Sequence, residues 1–322
     1  MRYCAIMELT GPPAPLMQQC MMCPMGGRLF IRGGAELDVK LPTTFGEQMR
    51  LLQSRNCIIT DESACIEALS KINYYRFSAY LIPFKEPDGS YRDGTTFARV
   101  YRRYEFDRKM RLILMEALEE IEVFVGTQIA YFHAHKYGAL GYLESSNFNE
   151  KHHHEKTMAE INRVVEQNRT SSFVKHHIEK YNSKFPVWVI FELFSWGMLS
   201  HFYADLPGAD RKHLAKTMYS TSEQILKSWL RCGTDLRNIC AHYGRLYSRR
   251  LSATPATPKG SAFRLGENLY SYIVMLKMLY PDGGRWKSTI MSSIYAIIEE
   301  YGSDIQLSHI GFPQDWETSL RN

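Results

Sequence analysis

The chain has 322 residues, 45% hydrophobic and 23% charged. That is globular composition, and it argues against a largely disordered chain, collagen-like repeats and coiled-coil arrays. Lys and Arg number 39 against 34 Asp and Glu, a net charge of +5 that permits a polyanionic partner without requiring one. Cys number 7, an odd count without a paired framework, which points to a reducing, cytoplasmic setting. No run of about 18 uncharged apolar residues occurs, so no membrane span is expected.

Residues 1–40 are rich in Met, Pro and Gly and carry no apolar period. They read as a disordered extension or a misassigned start, not as a signal peptide. Cys20 and Cys23 form a lone Cys-x-x-Cys with no second pair at zinc-finger spacing. Helices dominate from Thr43. Thr44-Phe45-Gly46-Glu47 has capping-box form and predicts a helix to about Arg55. Asp61 opens another, with Cys65, Ala68, Leu69 and Ile72 at helical spacing, running on through Tyr74, Tyr75 and Arg76 until Pro83. Pro87-Asp88-Gly89 reads as a turn.

Thr96 is placed to cap a long helix over about 97–135, with Val100, Ile113, Leu118, Ile121, Val125 and Ile129 on its apolar side. Glu105–Lys109 and Asp107–Arg111 are i,i+4 pairs expected on the opposite face. Gly126 marks a bend or a close helix crossing. The polar connection 136–155 contains His152-His153-His154, read as a solvated loop rather than a metal site. Helices follow over about 156–168 and 171–181. Pro186 fits the first turn of an apolar helix reaching Asp205. Ser220-Thr221-Ser222-Glu223 is a second capping box. It opens a helix with Leu226, Trp229, Leu230, Leu236, Cys240 and Tyr243 on one side. Residues 252–260 read as a loop, and two helices over about 261–280 and 286–301 complete the pattern. No strand alternation and no internal repeat is found. The expected architecture is all-α, with an N-terminal helical elaboration over 41–92, a bundle-like body over 93–305 and a tail over 306–322.

The most informative segment is Asp235-Leu236-Arg237-Asn238-Ile239-Cys240-Ala241-His242-Tyr243-Gly244-Arg245. If it is helical, Asn238 and His242 share a face, and Arg245 and Arg249 extend a basic stripe from them. The Arg237 stem can swing toward His242. A guanidinium grips phosphate oxygens in a fork and keeps its proton. A His near neutral pH gives or takes one. Together they suit cleavage of an RNA phosphodiester, in which the 2′-OH attacks phosphorus and Arg stabilises the anionic transition state. No metal and no cofactor is required. One His per chain leaves the acid and base roles short by one group, and a two-fold homodimer would supply the second. Tyr74, Tyr75 and Arg76 could stack on single-stranded bases, although core packing is the stronger reading of the two Tyr. Glu122 could orient Arg237 or His242 if the long helix packs beside this one, although a surface or purely structural carboxylate is the stronger reading. Gly-rich phosphate loops and the Gly-x-Ser-x-Gly elbow are absent, so nucleotide hydrolysis and serine esterase chemistry have no support.

Six ordered blocks carry a family resemblance: Ile72–Lys85, Asp93–Tyr101, Tyr104–Arg111, Thr127–Tyr131, Pro186–Trp188 with Glu192, and Leu236–Leu246. Across them, from Pro42 to about Arg250, the chain resembles the Abi-like family of bacterial abortive-infection proteins, the AbiD/AbiF type. The resemblance implies a HEPN-like helical bundle whose Arg-x4–6-His motif falls on Arg237, Asn238 and His242. It also implies a phage-defence toxin acting as a metal-independent endoribonuclease, with Arg245 and Arg249 on the RNA backbone. RNA is the expected partner, as substrate, with a small non-coding RNA as a further candidate. The rival expectation is a non-catalytic RNA-binding or protein-interaction HEPN module using the same basic stripe. Two positions depart from the family pattern. Gly126 stands where an Arg is expected, and Gly244 stands where toxins paired with nucleotidyltransferase antitoxins place a Tyr.

Overall fold

The computed structural model describes residues 41–261 and 263–321. These residues are helical, with two isolated backbone bridges, Ile58 to Thr96 and Lys85 to Tyr91, and no strand among them. The first helices are α1 (Phe45–Ser54), α2 (Glu62–Lys71) and α3 (Tyr74–Ser78). The Thr44 capping box forms in full: the Glu47 amide donates to Thr44 Oγ1, and the Thr44 amide donates to Glu47 Oε2 at 2.7 Å. Asp61 caps α2. The sequence predicts one helix from Asp61 onward. Instead, Ile72 is extended and Asn73 caps α3 separately, its Oδ1 accepting from the Tyr75 amide. A short Asn side chain that mimics a backbone turn outcompetes continuation of the helix here.

Helix α4 (Phe97–Tyr137) is 41 residues long, about 60 Å, and forms the spine. It is capped by Thr96 and packs against the later helices Val187–Ile190, Trp196–Asp205, Gly208–Tyr219, Glu223–Ala241, Leu269–Leu279 and Ser292–Tyr301. Helices α5 (His154–Gln167), α6 (Ser172–Lys180) and α7 (Val187–Ile190) come next. The apolar helix expected from Pro186 to Asp205 is broken after α7. A 3₁₀ turn and an extended Phe194 intervene before Ser195 caps α8 (Trp196–Asp205). The cap offers the α8 amides an acceptor that an uninterrupted helix would not need.

Helix α9 (Gly208–Tyr219) has no counterpart in the sequence reading, because its face is too mixed to show a period. The second capping box is also displaced. Ser220 is the left-handed C-terminal residue of α9 (φ 49°), and Ser222 is the N-cap of α10 (Glu223–Ala241). Helix α11 (Leu269–Leu279) is apolar on nearly every side and lies in the centre of the core, as such a helix must. Helix α12 (Gly283–Arg285) continues through a π-helical segment, Trp286–Met291, into α13 (Ser292–Tyr301). Residues 306–321 are not a loose tail: they include α14 (Trp316–Arg321), and Ile310, Phe312, Trp316 and Leu320 are buried.

The buried residues form one cluster that includes Met49, Leu52 and Phe77 of the N-terminal helices and Leu81 in the turn after α3. The elaboration therefore shares the core of the bundle. Gly126 is a close crossing and not a bend: a Cβ there would lie 3.7 Å from both Leu199 methyls on α8. The Asp107–Arg111 pair does not lie on a solvent face; both side chains are buried. Lys109 pairs with Glu300 at 2.7 Å rather than with Glu105. His152 is not solvated, since its ring is buried, stacks on Phe148 and bonds Asp205 Oδ2 at 2.8 Å. Cys20 and Cys23, with the rest of the 1–40 extension, lie outside the described residues.

Candidate functional site

Helix α10 ends at Ala241, earlier than the sequence periodicity predicts, with His242 as its C-terminal cap. Tyr243 then adopts a left-handed backbone (φ 58°). The Gly244 amide donates to the Ile239 carbonyl at 2.7 Å, and the Tyr243 amide donates to the Cys240 carbonyl at 3.1 Å. This is a Schellman ending, with a Tyr where Gly is usual. Gly244 is needed for space, because a Cβ would come within 3.0 Å of Ile239 Cγ2 and 3.1 Å of its carbonyl oxygen. The helical stripe expected to join Asn238, His242, Arg245 and Arg249 is therefore cut after His242.

Four anchors hold this turn. Asp107 on α4 is fully buried and accepts four hydrogen bonds: from Tyr80 Oη (2.6 Å), Arg111 Nη1 (3.0 Å) and the amides of Leu246 (2.9 Å) and Tyr247 (2.8 Å). Burial pushes its carboxyl upward, and these donors oppose that push. Arg111 Nη1 also donates to the Gly244 carbonyl at 3.1 Å. Arg76 from α3 donates to the Tyr243 carbonyl, and its guanidinium lies 5.8 Å from the Tyr243 ring centre. Arg245 is half-buried and donates to the Ala79 carbonyl at 2.7 Å. Segments distant in sequence thus converge on the end of α10.

The side chains near that end are more open than the backbone that carries them. Asn238 and His242 are exposed and stacked by one turn, the His242 amide donating to the Asn238 carbonyl at 3.0 Å. Arg237 is half-buried, with Nη1 3.5 Å from Asn238 Oδ1 and Nε enclosed without a hydrogen-bond partner. Helix α4 does pack beside α10, as the reading of Glu122 requires. Burial raises the Glu122 carboxyl, the Arg237 charge opposes that rise, and the carboxylate accepts from the Trp196 amide at the start of α8. Glu122 is therefore an electrostatic neighbour of Arg237 and also part of the α8 cap.

Tyr75 is 86% exposed, whereas Tyr74 packs against the core. Arg249 is exposed and donates to the Arg245 carbonyl at 3.4 Å. The sequence reading missed a cavity of about 380 Å³ beside the turn, lined by Lys71, Arg76, Arg108, Arg111, Tyr104 and Tyr243 among others, with no acidic side chain in its wall. The stretch Tyr104–Arg111 holds three of these residues, but no one-dimensional pattern pairs it with the distant Tyr243 at the end of another helix.

A family model described as Abi-like protein matches residues 67–248, more than half of the chain. The chain belongs to the Abi-like protein family. The match begins inside α2 and stops just after the turn that Asp107 clamps, so it contains all four anchors of the α10 ending. Membership associates this Abi-like protein with abortive infection, a form of phage defence. No curated protein and no solved structure matches the chain. Among the described residues, no helix of the Abi-like protein is long and apolar enough to cross a membrane.

Proposed function

We propose that this Abi-like protein is a metal-independent endoribonuclease of the HEPN type, acting as a toxin in phage defence. The observation that carries this reading is the pairing of an exposed imidazole with an acid-free basic cavity. His242 and Asn238 face solvent at the end of α10, and the next residue, Tyr243, lines a cavity walled by Lys71, Arg76, Arg108 and Arg111. Basic and aromatic groups together suit single-stranded RNA, whose bases stack on rings and planar guanidinium groups.

In this reading, His242 takes the proton from a ribose 2′-OH as that oxygen attacks the adjacent phosphorus. Arg237 offsets the negative charge that accumulates on the phosphoryl oxygens, and Asn238 holds Arg237 in place. The P–O5′ bond breaks, and the departing oxygen receives a proton from a second imidazole, the same residue of a second copy of this chain. The products are a 2′,3′-cyclic phosphate and a 5′-OH. Arg245 serves the site by fixing the turn, while Arg249, Arg76 and Tyr75 meet the strand.

The test is incubation of the purified chain with RNA in EDTA, beside His242→Ala. Cyclic-phosphate ends with wild type and their loss in the variant support the proposal. Equal cleavage by the variant, or cleavage only with Mg²⁺, refutes it. RNA binding that survives His242→Ala, with no cleavage in any condition, would make the protein a binding module instead.

A further inference from the structure

A cavity of about 960 Å³ is lined by none of Arg237, Asn238 and His242, although Arg249, assigned above to the RNA strand, borders it. Its wall contains Arg92, Arg103, Arg249, Arg250, Arg264 and His309. Glu267 is the one acidic side chain lining it. Five guanidinium groups against one carboxylate give 5 − 1 = +4 with His309 neutral. Such a concentration of one sign in a cleft focuses a positive potential that draws anions.

Arg103 gives the cavity its built character. It is 2% exposed, and its Nη1 is enclosed without a hydrogen-bond partner. Its Nε donates to a neutral acceptor, the Asp304 backbone carbonyl, at 2.5 Å. The Asp304 carboxylate is taken by Arg102 at 2.9 Å. The Arg103 guanidinium lies 4.4 Å from the Phe84 ring centre, which fixes its plane without balancing its charge. A buried cation with no carboxylate of its own is costly, and breaking an ion pair to leave such a charge typically destabilises by several kcal/mol. Its charge also holds the His309 imidazole below its ordinary range, with burial as the larger cause. Around this floor, Arg250 and Arg264 make no ion pair among the described residues, and Arg249 is exposed. Arg92 pairs only with exposed Glu86, at 3.3 Å.

We propose that this cavity is a phosphate-binding site, with the Arg103 guanidinium at its floor and two or more linked phosphates as its ligand. A fully ionised triphosphate carries about four negative charges, which matches the wall. The volume lies at the upper end of ordinary ligand pockets. A guanidinium with an unused N–H suits a charge-assisted contact with a phosphate oxygen. The phosphates come from a free nucleoside polyphosphate or from the backbone of a bound RNA strand, and the experiment separates the two.

Calorimetry on the full chain at low salt, without magnesium, would use pyrophosphate, ATP, GTP and a 12-nucleotide RNA as probes. Arg250→Ala with Arg264→Ala changes only exposed side chains and leaves the fold intact. Arg103→Met removes the floor and is checked for folding by circular dichroism. Pyrophosphate and a nucleoside triphosphate should bind, and the double variant should weaken both by at least about tenfold. His242→Ala should bind them as wild type does, which separates this site from the nuclease proposal. Binding of the RNA alone, with the same loss in the double variant, assigns the site to backbone phosphates. The proposal is overturned if no phosphate-bearing probe binds, or if the double variant binds all of them as tightly as wild type.

Discussion

Asp107→Asn removes the charge at the point where α4 grips the end of α10. In the wild type, Oδ2 accepts from Tyr80 Oη, Arg111 Nη1 and the Leu246 amide, and Oδ1 accepts from the Tyr247 amide. An Asn has one acceptor oxygen. Either its NH₂ faces three donors, or it is flipped and faces the Tyr247 amide. At least one buried amide then loses its acceptor, at about 1–3 kcal/mol. Arg111, 5% exposed at its side chain, also loses its counter-charge. Breaking a buried pair from one side costs about 3–5 kcal/mol, and the two terms overlap. The expected loss is therefore about 3–5 kcal/mol, a fall in Tm on the order of 10 °C by scanning calorimetry. Arg111→Met in the same background should cost less than the sum of the two single changes, with a coupling above about 1 kcal/mol. A single variant within about 1 kcal/mol of wild type, or two effects that simply add, would show that Asp107 is not what holds the turn.

Other perturbations probe different parts of the same frame. Gly233→Ala would normally stabilise a helix interior, but here a Cβ would meet the buried Trp196 ring at 2.4 to 2.9 Å. Urea unfolding should show a net loss of about 1–3 kcal/mol, and a gain would mean that Trp196 moves aside freely. His133 is fully buried among Tyr137, Phe148 and Phe202, and burial pulls its pKa from 6.5 down to about 4. The unfolded chain takes up this proton first, so stability falls as pH drops from 6.5 toward 4, by roughly 3 kcal/mol over the window. His133→Phe should flatten that slope, and an unchanged slope would exonerate the imidazole. Tyr243→Gly should relieve a left-handed backbone costing roughly 1 kcal/mol and raise Tm slightly, while weakening RNA binding. A lower Tm would mean that the ring contact with Arg76 outweighs the strain.

Much of the frame is legible in the linear pattern because the signals are local. The Thr44 box, the Asp61 and Thr96 caps and the apolar faces of α2, α4 and α10 each need only a few neighbouring residues. The pattern fails where a distant partner decides. Asp107–Arg111 has the spacing of a surface ion pair, and only the arrival of the 246–247 amides explains its burial. The end of α10 is hidden for the same reason: Tyr243 and Arg245 continue a helical period, yet Arg76, Arg111 and the Ala79 carbonyl draw the chain out of the helix. The Arg103 cavity leaves no trace in sequence, since its arginines come from four separated segments.

These anchors also explain how one exposed turn could perform demanding chemistry. A group that transfers a proton must be placed to within about 0.5 Å, which an unsupported helix end cannot ensure. Here the supporting contacts run through the backbone: carbonyls of Tyr243 and Gly244 and amides of Leu246 and Tyr247 are held by side chains from α3 and α4. None of those contacts uses the Asn238 or His242 side chain. The neighbouring backbone is fixed while the imidazole stays open to a substrate. The other histidines of the frame differ: the His152 ring is spent on Asp205, and the His133 ring is sealed among aromatic side chains. His242 combines an open ring with a clamped backbone, and that combination is the physical reason to look for chemistry there.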